Sequence, residues 1–187
     1  MERTISELMA AAERGDHSAP EALFSALYSE LHRLAQRQLA RHGSSSSLGV
    51  TTLLHEAYLD IAARDPSFPD RARFMSYAAR VMRGLIIDHA RSRHAQKRGG
   101  QFELTTFDTG VDEGRVDDRE LARVGEALDE LAGTDRALAE VVDLKFFCGF
   151  SFAEIAAMRG VSERTVQRMW EKARILLYRD LRARPAS

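Results

Sequence analysis

Apolar residues recur at spacings of three and four through most of the chain, the period of helices with one inward face. Ile5, Leu8 and Met9 mark a short amphipathic helix over 4–14. Pro20 stands where a first helical turn tolerates proline. Leu23, Leu27, Leu31 and Leu34 then carry the period to about Arg41. The run HGSSSSLG over 42–49 reads as a loop. Residues 52–64 are predicted helical, with Leu53, Ala57 and either Leu54 or Ile61 facing inward. Pro66 and Pro69 bracket a turn. A long helical pattern covers 70–98, with a break expected near His94. Phe74, Tyr77, Val81, Leu85 and Ile86 suit its core side.

Residues 99–118 have no period and few large side chains, so they read as an extended linker. Leu121, Val124, Leu128 and Leu131 restart a helical face. Helices over 134–147, 152–158 and 162–181 complete a set of four. No segment alternates with period two, and no internal repeat is present. The predicted fold class is all-α: two small helical domains, 1–98 and 119–187, joined by a linker over 99–118.

Length and composition narrow the class. The 187 residues suit one domain or two small ones, at roughly 150 residues per domain. An apolar share of 44% excludes a wholly disordered chain. No apolar run approaches the roughly 18 residues of a membrane span. Charges every few residues near the N-terminus argue against a signal peptide. The single cysteine, Cys148, excludes a disulfide framework and a cysteine-rich zinc site. Within FFCGF it reads as a buried, inert thiol. The expectation is a cytoplasmic protein with no membrane contact.

The net charge of -1 hides a segregation. Residues 71–98 hold eight cations and one acid, Asp88, for a net charge of +7. Residues 99–118 hold six acids and one cation, Arg115, for -5. Residues 159–184 hold eight cations and three acids, for +5. Two basic blocks thus flank an acidic one. Each basic block is a candidate phosphate-backbone surface, because neutralising phosphates releases condensed counterions.

The segment FSFAEIAAMRGVSERTVQRMWEKARILLY over 150–178 has the pattern of a helix-turn-helix. Ser151 caps a short helix, and Ile155 and Ala156 face inward. Gly160 supplies the turn, Val161 plugs the core, and Ser162 caps the second helix. That helix buries Val166, Met169 or Trp170, and Ala173. Ser162, Glu163, Arg164, Thr165, Gln167, Arg168 and Lys172 lie outward, suited to base edges and phosphates in a major groove.

FAEIAAMRGVSERTVQRMWEKAR resembles the promoter-reading region four of bacterial extracytoplasmic-function sigma factors. LDELAGTDRALAEVVDLKFFCGF resembles the helix pair preceding it. ALYSELHRLAQRQL, TTLLHEAYLDI and RARFMSYAARVMRGLIIDHARSR resemble region two, in the family's order. The resemblance covers 21–181. It implies a dissociable specificity subunit of RNA polymerase, with no intrinsic catalysis and no cofactor. The C-terminal helix would read the minus-thirty-five element and the N-terminal domain would melt the minus-ten element. The acidic linker would thread the active-site and RNA-exit channel.

Opening a duplex requires holding one strand. A base stacked on an aromatic ring contributes roughly 1–3 kcal/mol, and a basic groove tracks the backbone. Phe74 and Tyr77 lie a turn apart, ahead of Arg80 and Arg83. His89, Arg91, Arg93 and Lys97 continue a basic ridge. The resemblance implies melting by this segment; Phe74 and Tyr77 equally suit core packing. Asp88 suits a role orienting a neighbouring arginine.

TTLLHEAYLDI resembles the helix that grips the clamp helices of the polymerase largest subunit. Leu54, His55, Glu56, Tyr58, Leu59 and Asp60 are the implied contacts. A second implied contact joins the C-terminal domain to the flap of the second-largest subunit. Upstream, where the family carries acids, this chain has SSSLGVTT. Phosphorylating Thr51 or Thr52 adds roughly -1.5 to -2 charge at a helix N-terminus. Sigma factors with the T-x-L-x-H-E-A-Y-L-like segment that this chain resembles include ones controlled by a Ser/Thr kinase, so the resemblance implies a kinase as partner, with a plain capping role for Thr52 as the alternative.

His55-Glu56 is half of an H-E-x-x-H zinc motif, but Leu59 replaces the second histidine. No phosphate-binding glycine loop is present. The alternatives to the sigma-factor reading are a stand-alone helix-turn-helix regulator and a helical adaptor that binds acidic partners.

Overall fold

Thr4 starts the first helix through a capping box. Its hydroxyl accepts from the Glu7 backbone N–H at 3.3 Å, and its own N–H donates to Glu7 Oε2 at 2.7 Å. In this computed structural model, which describes residues 4–42, 48–64, 68–99 and 118–183, helices make up the whole regular structure. They are α1 (Ile5–Glu13), α2 (Ala19–Ala26), α3 (Tyr28–His42), α4 (Val50–Arg64) and α5 (Arg71–Gly99). After the acidic stretch come α6 (Asp118–Thr134), α7 (Arg136–Val142), a π-helical turn (Asp143–Phe147), α8 (Phe152–Arg159) and α9 (Glu163–Ala183). The acidic stretch at 100–117 and the Ser-rich loop at 43–47 lie outside the described residues.

Three boundaries differ from the sequence expectation. The leucine run from Pro20 to Arg41 is two helices, broken at Leu27 (φ -100°, ψ 9°). The run over 134–147 ends as a π-turn, in which the Cys148 N–H donates to the Asp143 carbonyl at 2.9 Å. The backbone of α5 is helical through His94 to Gly99, without the expected break.

Helix α5 lies at the centre. It packs on α1, α3 and α4 and also on α6, α7, α8 and the π-turn. Leu31, Leu34, Leu53, Ile61, Phe74, Met75 and Met82 are buried around it. Leu121, Leu128, Val141, Leu144, Phe147, Ile155, Val166 and Ala173 belong to the same core cluster. The helices before and after the acidic stretch therefore share packed surface. No described helix is long and apolar enough to cross a membrane.

Candidate nucleic-acid interface

Helix α8 opens on a second capping box. The Ser151 N–H donates to Glu154 Oε2 at 2.7 Å, and Ser151 Oγ accepts from the Glu154 N–H at 3.1 Å. The Ser151 backbone N–H holds the Glu154 carboxyl below its ordinary range. Gly160 ends the helix with φ +65°, a left-handed conformation that costs other residues strain. The chain reverses there, and Ser162 Oγ accepts from the Thr165 N–H at 3.2 Å to start α9.

Val166 and Ala173 of α9 are buried, while Met169 and Trp170 are both half-buried. Ser162, Glu163, Arg164, Thr165, Gln167, Arg168 and Lys172 are all exposed. Val161, expected to plug the core, is instead 40% exposed. Lys172 reaches Asp135 at 3.6 Å and Gln167 reaches Glu163 at 3.4 Å. Arg164 and Arg168 make no ion pair among the described residues.

The basic ridge of α5 is placed differently. Arg80 and Arg91 are exposed, but each meets an acid of α6: Arg80–Asp129 at 3.3 Å and Arg91–Glu126 at 3.6 Å. Arg83 is only 3% exposed. It donates to Asp143 Oδ1 at 2.7 Å, beneath the Phe147 ring at 4.8 Å. Ser76 Oγ donates to the other Asp143 oxygen at 3.0 Å. Burial pushes the Asp143 carboxyl up, and Arg83 pulls against it. A second buried acid, Glu140, bridges Arg73 at 2.9 Å and Arg159 at 2.6 Å. Burial pushes its carboxyl up as well, opposed by Arg159 and Arg73.

Phe74 is wholly buried and packs edge-on against Phe68 at 5.1 Å, so it is a core residue and not a stacking platform. Tyr77 is half-buried against Phe68 at 5.3 Å and lines a cleft with Arg80, Asp88, Arg91 and Gly125. His89 is half-buried, with Nε2 lacking a hydrogen-bond partner among the described residues. The side chains of Arg93 and Lys97 lie outside the described residues.

On α4, Leu54 is 2% exposed and belongs to the core, which removes it as a direct polymerase contact. Thr51, Thr52, His55, Glu56 and Leu59 form one exposed stripe at helical spacing. Tyr58 stacks edge-on against Phe24 at 5.2 Å, and Asp60 pairs with Arg64 at 3.0 Å. The helix begins at Val50, so Thr52 lies within its first turn and does not cap it; that turn holds no acid. Cys148 is half-buried, its Sγ 3.7 Å from the Met75 carbonyl. Burial pushes its thiol well above the ordinary range, and Asp143 adds to the shift. No cluster of His, Cys, Asp and Glu fit for a metal is present among the described residues.

The acids that hold the ridge were missed from sequence. One signal was available: Glu140 and Asp143 stand three apart in the apolar run LAEVVDLKFF. Acids on a buried helical face require cationic partners.

Residues 2–183 match the family model described as ECF sigma factor. It belongs to the ECF sigma factor family. Its members are RNA polymerase sigma factors, DNA-binding proteins of transcription initiation rather than enzymes. The chain is 30% identical over 180 residues to the ECF RNA polymerase sigma factor SigM of Mycobacterium tuberculosis, in strains Erdman and H37Rv. That match covers 96% of this chain and 86% of the relative. Among solved structures, CnrH in complex with the cytosolic domain of CnrY matches at 24% identity and a TM-score of 0.38. It covers 95% of this chain and 97% of that one. The family implies core polymerase and promoter DNA as partners.

Proposed function

We propose that α8 and α9 form a helix-turn-helix reading the minus-thirty-five element, and that α5 melts the minus-ten element. Residues 1–98 and 119–187 act as two modules, tethered by the acidic stretch. The exposed stripe of α4 docks on the polymerase clamp helices, and the C-terminal module meets the flap. The observation carrying this reading is the two-sided build of α9. Its apolar face is spent on the core, while Arg164, Thr165, Gln167 and Arg168 stay open beside a capped N-terminus. Such a helix end offers side chains to base edges and a positive dipole to phosphate.

Activation by a Ser/Thr kinase fits α4. Thr51 and Thr52 are exposed in a first turn without acids, where added negative charge favours both the helix and a cationic partner. The test is run-off transcription with purified core polymerase on the promoter region of the chain's own operon. Core-dependent transcripts are expected, and none from a regulator that never joins polymerase. The Thr51→Ala/Thr52→Ala variant, purified from cells holding the kinase, is expected to lose most of that output. Output equal to wild type removes the phosphorylation reading and leaves the sigma function intact.

A further inference from the structure

The outward polar groups of α9 differ in what they have left to offer a ligand. The Ser162 and Thr165 hydroxyls lie 2.8 Å apart, and Ser162 Oγ also accepts from the Thr165 N–H, so both are taken up by the cap. Lys172 is drawn toward Asp135 at 3.6 Å. Arg164 and Arg168 can only donate. Gln167 is the one amide among the outward residues, and it is exposed.

That amide has a defined sense. Gln167 stands one turn after Glu163, and its Nε2 donates to Glu163 Oε1 at 3.4 Å. An ionised carboxylate only accepts, so the NH2 group and not the carbonyl of the amide must face Glu163. Glu163 itself lies in the first turn of α9, where the helix dipole favours negative charge. One N–H of Gln167 is thus committed to the carboxylate. The second N–H and Oε1 remain, a donor and an acceptor on one planar group.

We infer that Gln167 reads an adenine of the minus-thirty-five element, and that Glu163 is the positioning residue that aims its amide. This rests on α9 being the recognition helix. In the major groove adenine presents the N7 acceptor beside the N6 amino donor, and an amide matches both at once. Guanine presents two acceptors there. With one N–H held by Glu163, Gln167 cannot donate to both. Cytosine presents a donor and thymine an acceptor beside a methyl group, so either gives the amide a single bond. Glu163 therefore lowers affinity for every duplex through like charge with the phosphates, and narrows the choice of base.

The test uses the full chain bound to core polymerase. In the promoter duplex each adenine of the minus-thirty-five region, on either strand, is replaced in turn by 7-deazaadenine. That base keeps its pairing and its N6 amino group but lacks the N7 acceptor. At one adenine the replacement is expected to weaken binding about five-fold or more. In Gln167→Ala that penalty is expected to vanish. Glu163→Ala should bind every duplex more tightly, because a negative charge has left the DNA face, yet show a smaller penalty at the same adenine. Glu163→Gln should also bind more tightly but keep the penalty, since its carbonyl still accepts from Gln167. Circular dichroism confirms that each variant is folded. A penalty at no adenine, or one that persists in Gln167→Ala, overturns the inference. An undiminished penalty in Glu163→Ala overturns the positioning role. Arg164→Ala/Arg168→Ala on the unmodified duplex separates this inference from the recognition-helix reading. Lost binding in that variant keeps α9 on the DNA even where no adenine is sensitive. Unchanged binding removes α9 from the DNA and the inference with it.

Discussion

Arg83 and Asp143 lie 60 residues apart in the chain and meet at 2.7 Å, each side chain under a tenth exposed. Neither is useful to the fold alone. Removing one partner of a buried pair costs about 3–5 kcal/mol, because the other charge stays out of water, whereas replacing both by apolar groups is often neutral. Asp143→Ala should therefore lower the urea midpoint, or split the transition as the C-terminal half undocks first. Arg83→Met/Asp143→Leu should lose far less than the single variant. Urea unfolding followed by circular dichroism checks both. A single transition at the wild-type midpoint for Asp143→Ala would show that the pair holds nothing.

The Ser151–Glu154 box has a pH signature. Glu154 titrates below the ordinary carboxylate range because the Ser151 N–H bonds its ionised form. A lowered folded pKa gives stability that is present above the ordinary pKa and is lost as pH falls through the lowered value. The stability gap between wild type and Glu154→Gln should thus be open at neutral pH and closed in strong acid. Ser151→Ala should cost about 1 kcal/mol through the lost cap. Thermal unfolding across a pH series measures both.

On α9, Arg168 is exposed and unpaired among the described residues. If its contact is to phosphate, Arg168→Ala should weaken promoter binding about equally across sequences. It should also reduce the slope of log affinity against log salt by about one. Fluorescence anisotropy of polymerase-bound protein on wild-type and scrambled minus-thirty-five duplexes tests this. A loss confined to one base position would assign Arg168 to a base edge instead.

The helices were legible because each buries a stripe at period 3.6, and the caps at Ser151 and Ser162 are local chemistry within three residues. The break at Leu27 was not. Leu23, Leu27 and Leu31 hold their spacing across it, and no glycine or proline marks the change of direction. The α9 face was readable, since exposure there follows from the helix alone. The α5 ridge misled for a different reason. Its arginines are neutralised by acids at long sequence separation, and charge counted in a window cannot see a partner 60 residues away. Phe74 and Leu54 were ambiguous from period, and tertiary burial decided them.

The stripe of Thr51, Thr52, His55, Glu56 and Leu59 stays open while the α5 arginines are engaged. On the reading proposed here, capture by polymerase needs no prior rearrangement.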